Sequence, residues 1–207
     1  ERAPISVANG GGDRLLIIDP PTATASKFRL EGAVTSIFTG EVRESGLPKI
    51  QTQPGGVAHI RMGEHFLDVY SQRNSNFIHF PALGILCTGS FGSDVLLPVI
   101  TEGSNGEEEL MMLRLLAQLI KRNVKLLIPQ VGSMLEEPTQ MMQRLAEDVS
   151  YLHGLRRVIP QLAQRGDALE DVRAVAESLL PRQRFSLPAQ SSHKKNIENI
   201  WLAAQPI

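Results

Sequence analysis

A chain of 207 residues, 42% of them hydrophobic, is long enough for one well-buried domain and short for two. Its 21 basic and 22 acidic side chains leave a net charge of −1, so no electrostatic case exists for binding nucleic acid or an anionic membrane. A single cysteine, Cys87, excludes an intramolecular disulfide framework and a cysteine-rich zinc site. Runs such as "LLIID" and "VKLLIP" are too short to span a bilayer, and no basic-then-apolar signal segment opens the chain. The first residue is Glu1 rather than Met, so a trimmed or processed N-terminus is an expectation, and a cytoplasmic protein is the default one.

The first half reads as short strands between turn residues. In "NGGGDRLLIIDPP" a Gly-rich turn leads into a buried strand at residues 14–18, which Asp19 and two prolines stop. "GAVTSIFTG" is a second buried strand, broken at Thr39-Gly40 by the polar loop "EVRES". "GVAHIRMGEHFLDVYSQ" predicts two strands around a turn at Met62-Gly63-Glu64. "NFIHFPALGILCTGSFGSD" predicts a hairpin turning at 81–84, its second strand stopped by Gly89. The second half changes period. Ser104 and Glu107 fit a capping box before a helix whose Met112, Leu116 and Leu119 share a face. The strand "VKLLIP" follows, then a helix with Met142, Leu145, Val149 and Leu152 on one face. Asp167 and Glu170 suggest another capping box, and Ser192 a cap for a last helix with Ile197, Ile200, Trp201 and Ala204 as its stripe. Strands, helix, strand and helices in that order suit a layered α/β or α+β domain.

The motifs each carry a structural alternative. "GSFG" at 89–92 has the glycines of a phosphate cradle but not the Lys-Ser/Thr tail of a P-loop, so a tight turn after a strand is the better reading. Ser90 and Ser93 lie outside any G-x-S-x-G elbow. His59 and His65 lie six apart across a turn and would face each other on paired strands; two histidines alone make no metal site, and sheet-bound or solvent-facing rings fit better. His153 reads as a helix-end cation, and "HKK" at 193–195 and Arg156-Arg157 as solvated faces. Met111-Met112 and Met141-Met142 each turn one side chain inward to the core and one outward, where it would mark a partner surface.

Taken together the segments resemble the metallo-β-lactamase fold superfamily over nearly the whole chain. "DRLLIIDPP" is similar to the family's early strand with its Asp-Pro-Gly-like turn, Asp19 falling on the Asp. "TSIFTGEVRESGL" resembles the strand that ends in Thr-His-x-His-x-Asp-His-x-Gly, and "VYSQRNSNFIHF" the stretch with a Gly-His-Thr-Pro-Gly-Ser core. "GILCTGSFGSD" is similar to the strand ending in Thr-Gly-Asp, "LLIPQVGS" to Pro-Gly-His-Gly, "LAEDVSYLHGLRRV" to the helix after it, and "SHKKNIENIW" to the closing helix. The resemblance implies a single domain over 1–207, a four-layer αββα sandwich with mostly antiparallel or mixed sheets. A C-terminal helical segment, about 136–207, would be packed on it, and the site would lie on loops at one edge of the sheets.

The resemblance keeps the framework and loses the ligands. Gly40 and Val42 stand at the first two His positions, Glu44 at the Asp and Ser45 at the last His of the first motif. Gln72, Ser90 and Val131 stand at the remaining ligand positions. Metallohydrolase chemistry depends on a metal that lowers the pKa of bound water, and hydrocarbon, amide and hydroxyl side chains are poor zinc donors. The expectation is a pseudoenzyme: no metal, no cofactor and no catalytic residue of the family type, with a binding, regulatory or structural role. Glu41, Arg43, Glu44, Ser45, Gln72, Arg73, Asn74, Ser90 and Asp94 would line the edge, as a pocket for a small polar ligand or as an ion-pair network closing a vacated cavity. Two alternatives stand beside this. One is a hydrolase with a relocated site, built on His59, His65 and His79 with Glu41 or Glu44, or on Ser90 or Ser93. The other is an interaction module, a homodimer or a docking partner, using the outward methionines or a free sheet edge.

Overall fold

Alternation of β-branched and polar residues between Gly- and Pro-bounded turns produces eight strands in the computed structural model, which describes residues 5–8, 14–20, 33–39, 46–73 and 75–205. The chain divides into two compact units, Glu1–Gly89 with Asn123–Met134, and Ser90–Arg122 with Leu135–Ile207.

The first unit holds two sheets. β1 (Ile5–Ala8), β2 (Arg14–Ile18) and β3 (Ala33–Ile37) form a three-stranded sheet, β1 antiparallel and β3 parallel to β2. β4 (Val57–Met62), β5 (His65–Gln72), β6 (Ser75–Phe80), β7 (Ile85–Gly89) and β8 (Leu126–Pro129) form a five-stranded sheet in that spatial order. It is antiparallel except for the β7–β8 pair. The period of two sorts the side chains by face. Met62, Leu67, Val69, Ile78, Phe80, Cys87 and Ile128 point inward and pack with Leu16, Ile18 and Ile37 of the other sheet in one apolar core. The expected turns at Gly63 and at 81–84 are present.

The second unit is helical. Among the described residues it supplies α1 (Glu107–Asn123, whose last residue belongs to the first unit), α2 (Pro138–Gln164), α3 (Leu169–Ala176) and α4 (Leu187–Ala203). Three glutamates in the first turn of α1 and Lys121 and Arg122 in its last complement the helix dipole. Met112, Leu116 and Leu119 are buried as their spacing predicts. No described helix is long and apolar enough to cross a membrane.

Several local expectations are corrected. The Ser104 hydroxyl donates to Glu109, not to a partner at Glu107, and Glu109 also accepts the Thr101 N–H, so the acidic anchor lies two residues further on. α3 begins without a side-chain cap, so Asp167 and Glu170 form no box. α4 starts six residues earlier than expected, at Leu187; Ser186 is its cap, accepting from the Ala189 N–H, and Ser192 lies inside the helix. On α2 it is Met141 rather than Met142 that is fully buried, because the core face runs through Met141, Leu145, Asp148, Leu152 and Leu155. The same helix continues through Pro160 to Gln164, which leaves His153 exposed at mid-helix and away from the C-terminal dipole.

Ile18 has no exposed surface and packs in the apolar core between the two sheets, so Ile18→Ala is expected to cost about 2–5 kcal/mol. Val57→Ala, at an exposed position on β4, is expected to change stability by less than about 0.5 kcal/mol. Urea unfolding of the two variants checks both values.

Candidate functional site

The register of the five-stranded sheet brings Gln72, Ser75, Asn76, Gly89, Pro129 and Gln130 to one edge, since Gln72 pairs with Ser75 and Gly89 with Pro129. Asp19 and Thr39, just past the ends of β2 and β3, meet them there. The Thr39 N–H donates to Asp19 Oδ1 at 2.8 Å, and the Thr39 hydroxyl donates to Asp19 Oδ2. Gln130 Nε2 reaches the same carboxylate at 3.4 Å. Asn76 donates from its side chain to the Phe38 carbonyl at 2.7 Å and from its backbone to the Thr39 carbonyl at 3.2 Å. Its own Oδ1 accepts from Thr52.

Two backbone features make this meeting tight. Gly89 has φ +63°, and a Cβ there would lie 2.7 Å from the Thr39 carbonyl oxygen, so only glycine fits. Asp19 has φ +51°, a left-handed conformation that Asp tolerates better than most residues but at some cost. Held strain of this kind is characteristic of functional edges. Here the carboxylate is committed to Thr39, which is 1% exposed.

Of the residues singled out in the sequence, Gly40, Glu41, Val42, Arg43, Glu44, Ser45 and Asn74 lie outside the described residues. Gln72 is half-buried at the end of β5, Arg73 is exposed beside it, and Val131 is half-buried just beyond β8. Ser90 and Asp94 belong to the second unit, where both are half-buried and Asp94 lies 3.4 Å from Arg144. Ser93 is fully buried, and its oxygen accepts the N–H groups of Val95 and Leu96, a turn-forming role rather than that of a nucleophile.

The histidines do not converge. His65 pairs with Met62, so it shares the inner face with the core, while His59 pairs with Asp68 and Asp68 with His79 on the outer face. His59 Nδ1 lies 2.7 Å from Asp68 Oδ1. The facing of His59 and His65 across the turn is therefore corrected. Among the described residues no three His, Cys, Asp or Glu side chains group so as to hold a metal ion. The fold family implies a metal, but Gln72, Ser90 and Val131, an amide, a hydroxyl and a hydrocarbon that the sequence resemblance sets at its ligand positions, do not fit one.

The second unit carries buried polar chemistry of its own. Asp148 has no exposed surface; its Oδ2 accepts the Gly92 N–H at 2.7 Å and its Oδ1 accepts from Arg184 Nη1. Burial pushes this carboxyl up to about 6, against the pull of the guanidinium and the Gly92 N–H. His193, read in sequence as part of a solvated stretch, is 4% exposed. Its Nε2 donates to the Ala176 carbonyl at 3.1 Å, so Nδ1 accepts from the Tyr151 hydroxyl at 3.0 Å, which in turn accepts from Asn196. Burial holds its pKa below the usual value. Cys87, in the sheet core, is a protonated and unreactive thiol, pushed up to about 12 by burial and by the nearby Asp19 charge.

No protein-family model and no curated protein sequence matches the chain. Among solved structures it is similar to the stereoselective inverting sec-alkylsulfatase Pisa1 from Pseudomonas sp., with a TM-score of 0.56 and 14% identity over 74% of this chain and 26% of that one. A double mutant of the sulfatase superposes equally well, with a TM-score of 0.57 and 12% identity over 75% of this chain and 27% of that one. The chain has the metallo-β-lactamase fold. A metallo-beta-lactamase from Pontibacter korlensis is a more distant match, with a TM-score of 0.42 and 15% identity over 69% of this chain and 86% of that one. The likeness is one of fold, and the chain spans about a quarter of the sulfatase's length.

Two measurements follow from these groups. Asp19→Ala removes two charge-assisted acceptors from Thr39 and is expected to cost about 1.5–3 kcal/mol, Asp19→Asn less, because Asn tolerates the same backbone and keeps one acceptor. For His193 the folded pKa lies below the unfolded 6.5, so the unfolded chain takes up the proton first and stability falls as pH drops below about 6.5. Asp148, raised from 3.8, acts with the opposite sign. The difference between the native chain and His193→Gln isolates the histidine: urea unfolding at pH 7.5 and pH 5 is expected to show the native chain losing stability relative to the variant at the lower pH.

Proposed function

We propose that this chain is a metallo-β-lactamase-fold protein that lacks the fold's metallohydrolase chemistry and serves a binding, regulatory or structural role. The observation that carries the reading is the donor set. Gln72, Ser90 and Val131 stand at family ligand positions where the structure is described, and the sequence places Gly40, Val42 and Ser45 at the others. Water activation needs a metal held by several good donors in a fixed geometry, and one carboxylate at Glu44 does not supply that.

What remains at the edge suits a scaffold. Asp19, Thr39, Asn76 and Gly89 are committed to one another, as a framework is rather than as reacting groups are. Gln72 and Arg73, at the end of β5, offer amide and charged groups to a small polar ligand, and Glu41, Arg43 and Glu44 are the further candidates that the sequence supplies. A second copy of the chain is the alternative partner, favoured by Met111, which is 47% exposed beside the buried Met112. The relocated metal site loses support from the separation of His65 from His59 and His79.

Elemental analysis of protein purified without chelator tests the reading. The expected content of zinc, iron and manganese is far below one atom per chain, with no rise in Tm on adding zinc or manganese. Stoichiometric metal, or a metal-dependent hydrolysis that Glu44→Gln abolishes, overturns it.

A further inference from the structure

The helical unit contains a buried ion pair that ties one loop to α2. Arg184 is 2% exposed, on the 3-10 turn Arg182–Arg184 between α3 and α4. Its Nη1 donates to Asp148 and, at 3.4 Å, to the Leu96 carbonyl; its Nη2 donates to Glu147 at 3.0 Å and to the Arg144 carbonyl of α2 at 3.5 Å. The free oxygen of Asp148 takes the Gly92 N–H at 2.7 Å. Two residues after Arg184, the Ser186 hydroxyl donates to the Val95 carbonyl at 2.9 Å. The 90–97 loop is thus held at Gly92 by α2, 56 positions on, and at Leu96 and Val95 by Arg184 and Ser186, 88 and 91 positions on. That loop begins with Ser90, the candidate pocket residue that directly follows Gly89.

A buried ion pair is poor at stabilising a fold. Desolvation of the two charges offsets most of their attraction, and apolar side chains of similar volume commonly serve as well or better. What such a pair does supply is directionality: a carboxylate and a guanidinium accept and donate only along fixed vectors. We propose that Asp148 and Arg184 are positioning residues for the 90–97 loop, setting the conformation in which Ser90 is presented, rather than sources of fold stability. The backbone groups they engage confirm the target: three of the bonds made by this network, with Ser186, end on main-chain atoms of that loop. The proposal rests on the pocket reading of Ser90 only for its biological use; the loop's tether stands without it.

Hydrogen exchange of the full chain separates positioning from stability. The double variant Asp148→Leu with Arg184→Met removes both charges at similar volume and leaves neither one unpaired. The amides of 92–97 are expected to exchange roughly tenfold faster, as for one or two lost hydrogen bonds, while those of Leu116 and Leu119 in α1 stay unchanged or slow down. Arg184→Lys keeps the charge but not the fork, and is expected to speed the loop alone by about threefold. Loop and helix amides accelerating together, a chain that does not fold, or an unchanged loop overturns the proposal.

Discussion

One carboxylate organises the edge on which the first unit's two sheets meet. Asp19 grips Thr39 through both amide and hydroxyl, Thr39 offers its carbonyl to Asn76, and that carbonyl lies so close to Gly89 that no side chain fits between them. Each member fixes the next; Gly89 ends a strand, and Asp19 and Thr39 lie just past the ends of two others. Charge-assisted bonds to backbone groups are among the stronger ones a protein makes, which suits a place where two sheets must agree in register. The strain in Asp19's backbone is borne by this arrangement.

Much of this architecture was legible in the sequence, for identifiable reasons. Strands bounded by Gly and Pro with a period of two carry their own address, and the turn residues Asp19, Thr39 and Gly89 carried the resemblance to the fold that the sulfatase structures then bore out. Those three are the residues of the clasp. The role of the edge was not legible, since residues 40–45 lie outside the described structure.

What the sequence hid depends on long-range partners. Met142 looked like the core residue of α2 because an apolar stripe does not admit Asp148, yet Asp148 is buried once Arg184, 36 positions later, supplies its counter-charge. Ser104 looked like half of a capping box until Glu109 took its hydroxyl. His193 looked solvated from its lysine neighbours, and only packing against Tyr151 and the Ala176 carbonyl reveals a neutral, doubly bonded ring. The His59 and His65 pairing failed by register alone, since one residue's displacement moves a strand side chain to the opposite face.

The solitary thiol has a practical consequence. Cys87 is 1% exposed in the packing between the two sheets, and its pKa of about 12 leaves almost no thiolate at neutral pH. An alkylating probe can reach it only when that interior comes apart. With no other sulfhydryl in the chain, the rate of its modification is a built-in clock for the separation of the sheets, read without any engineered label.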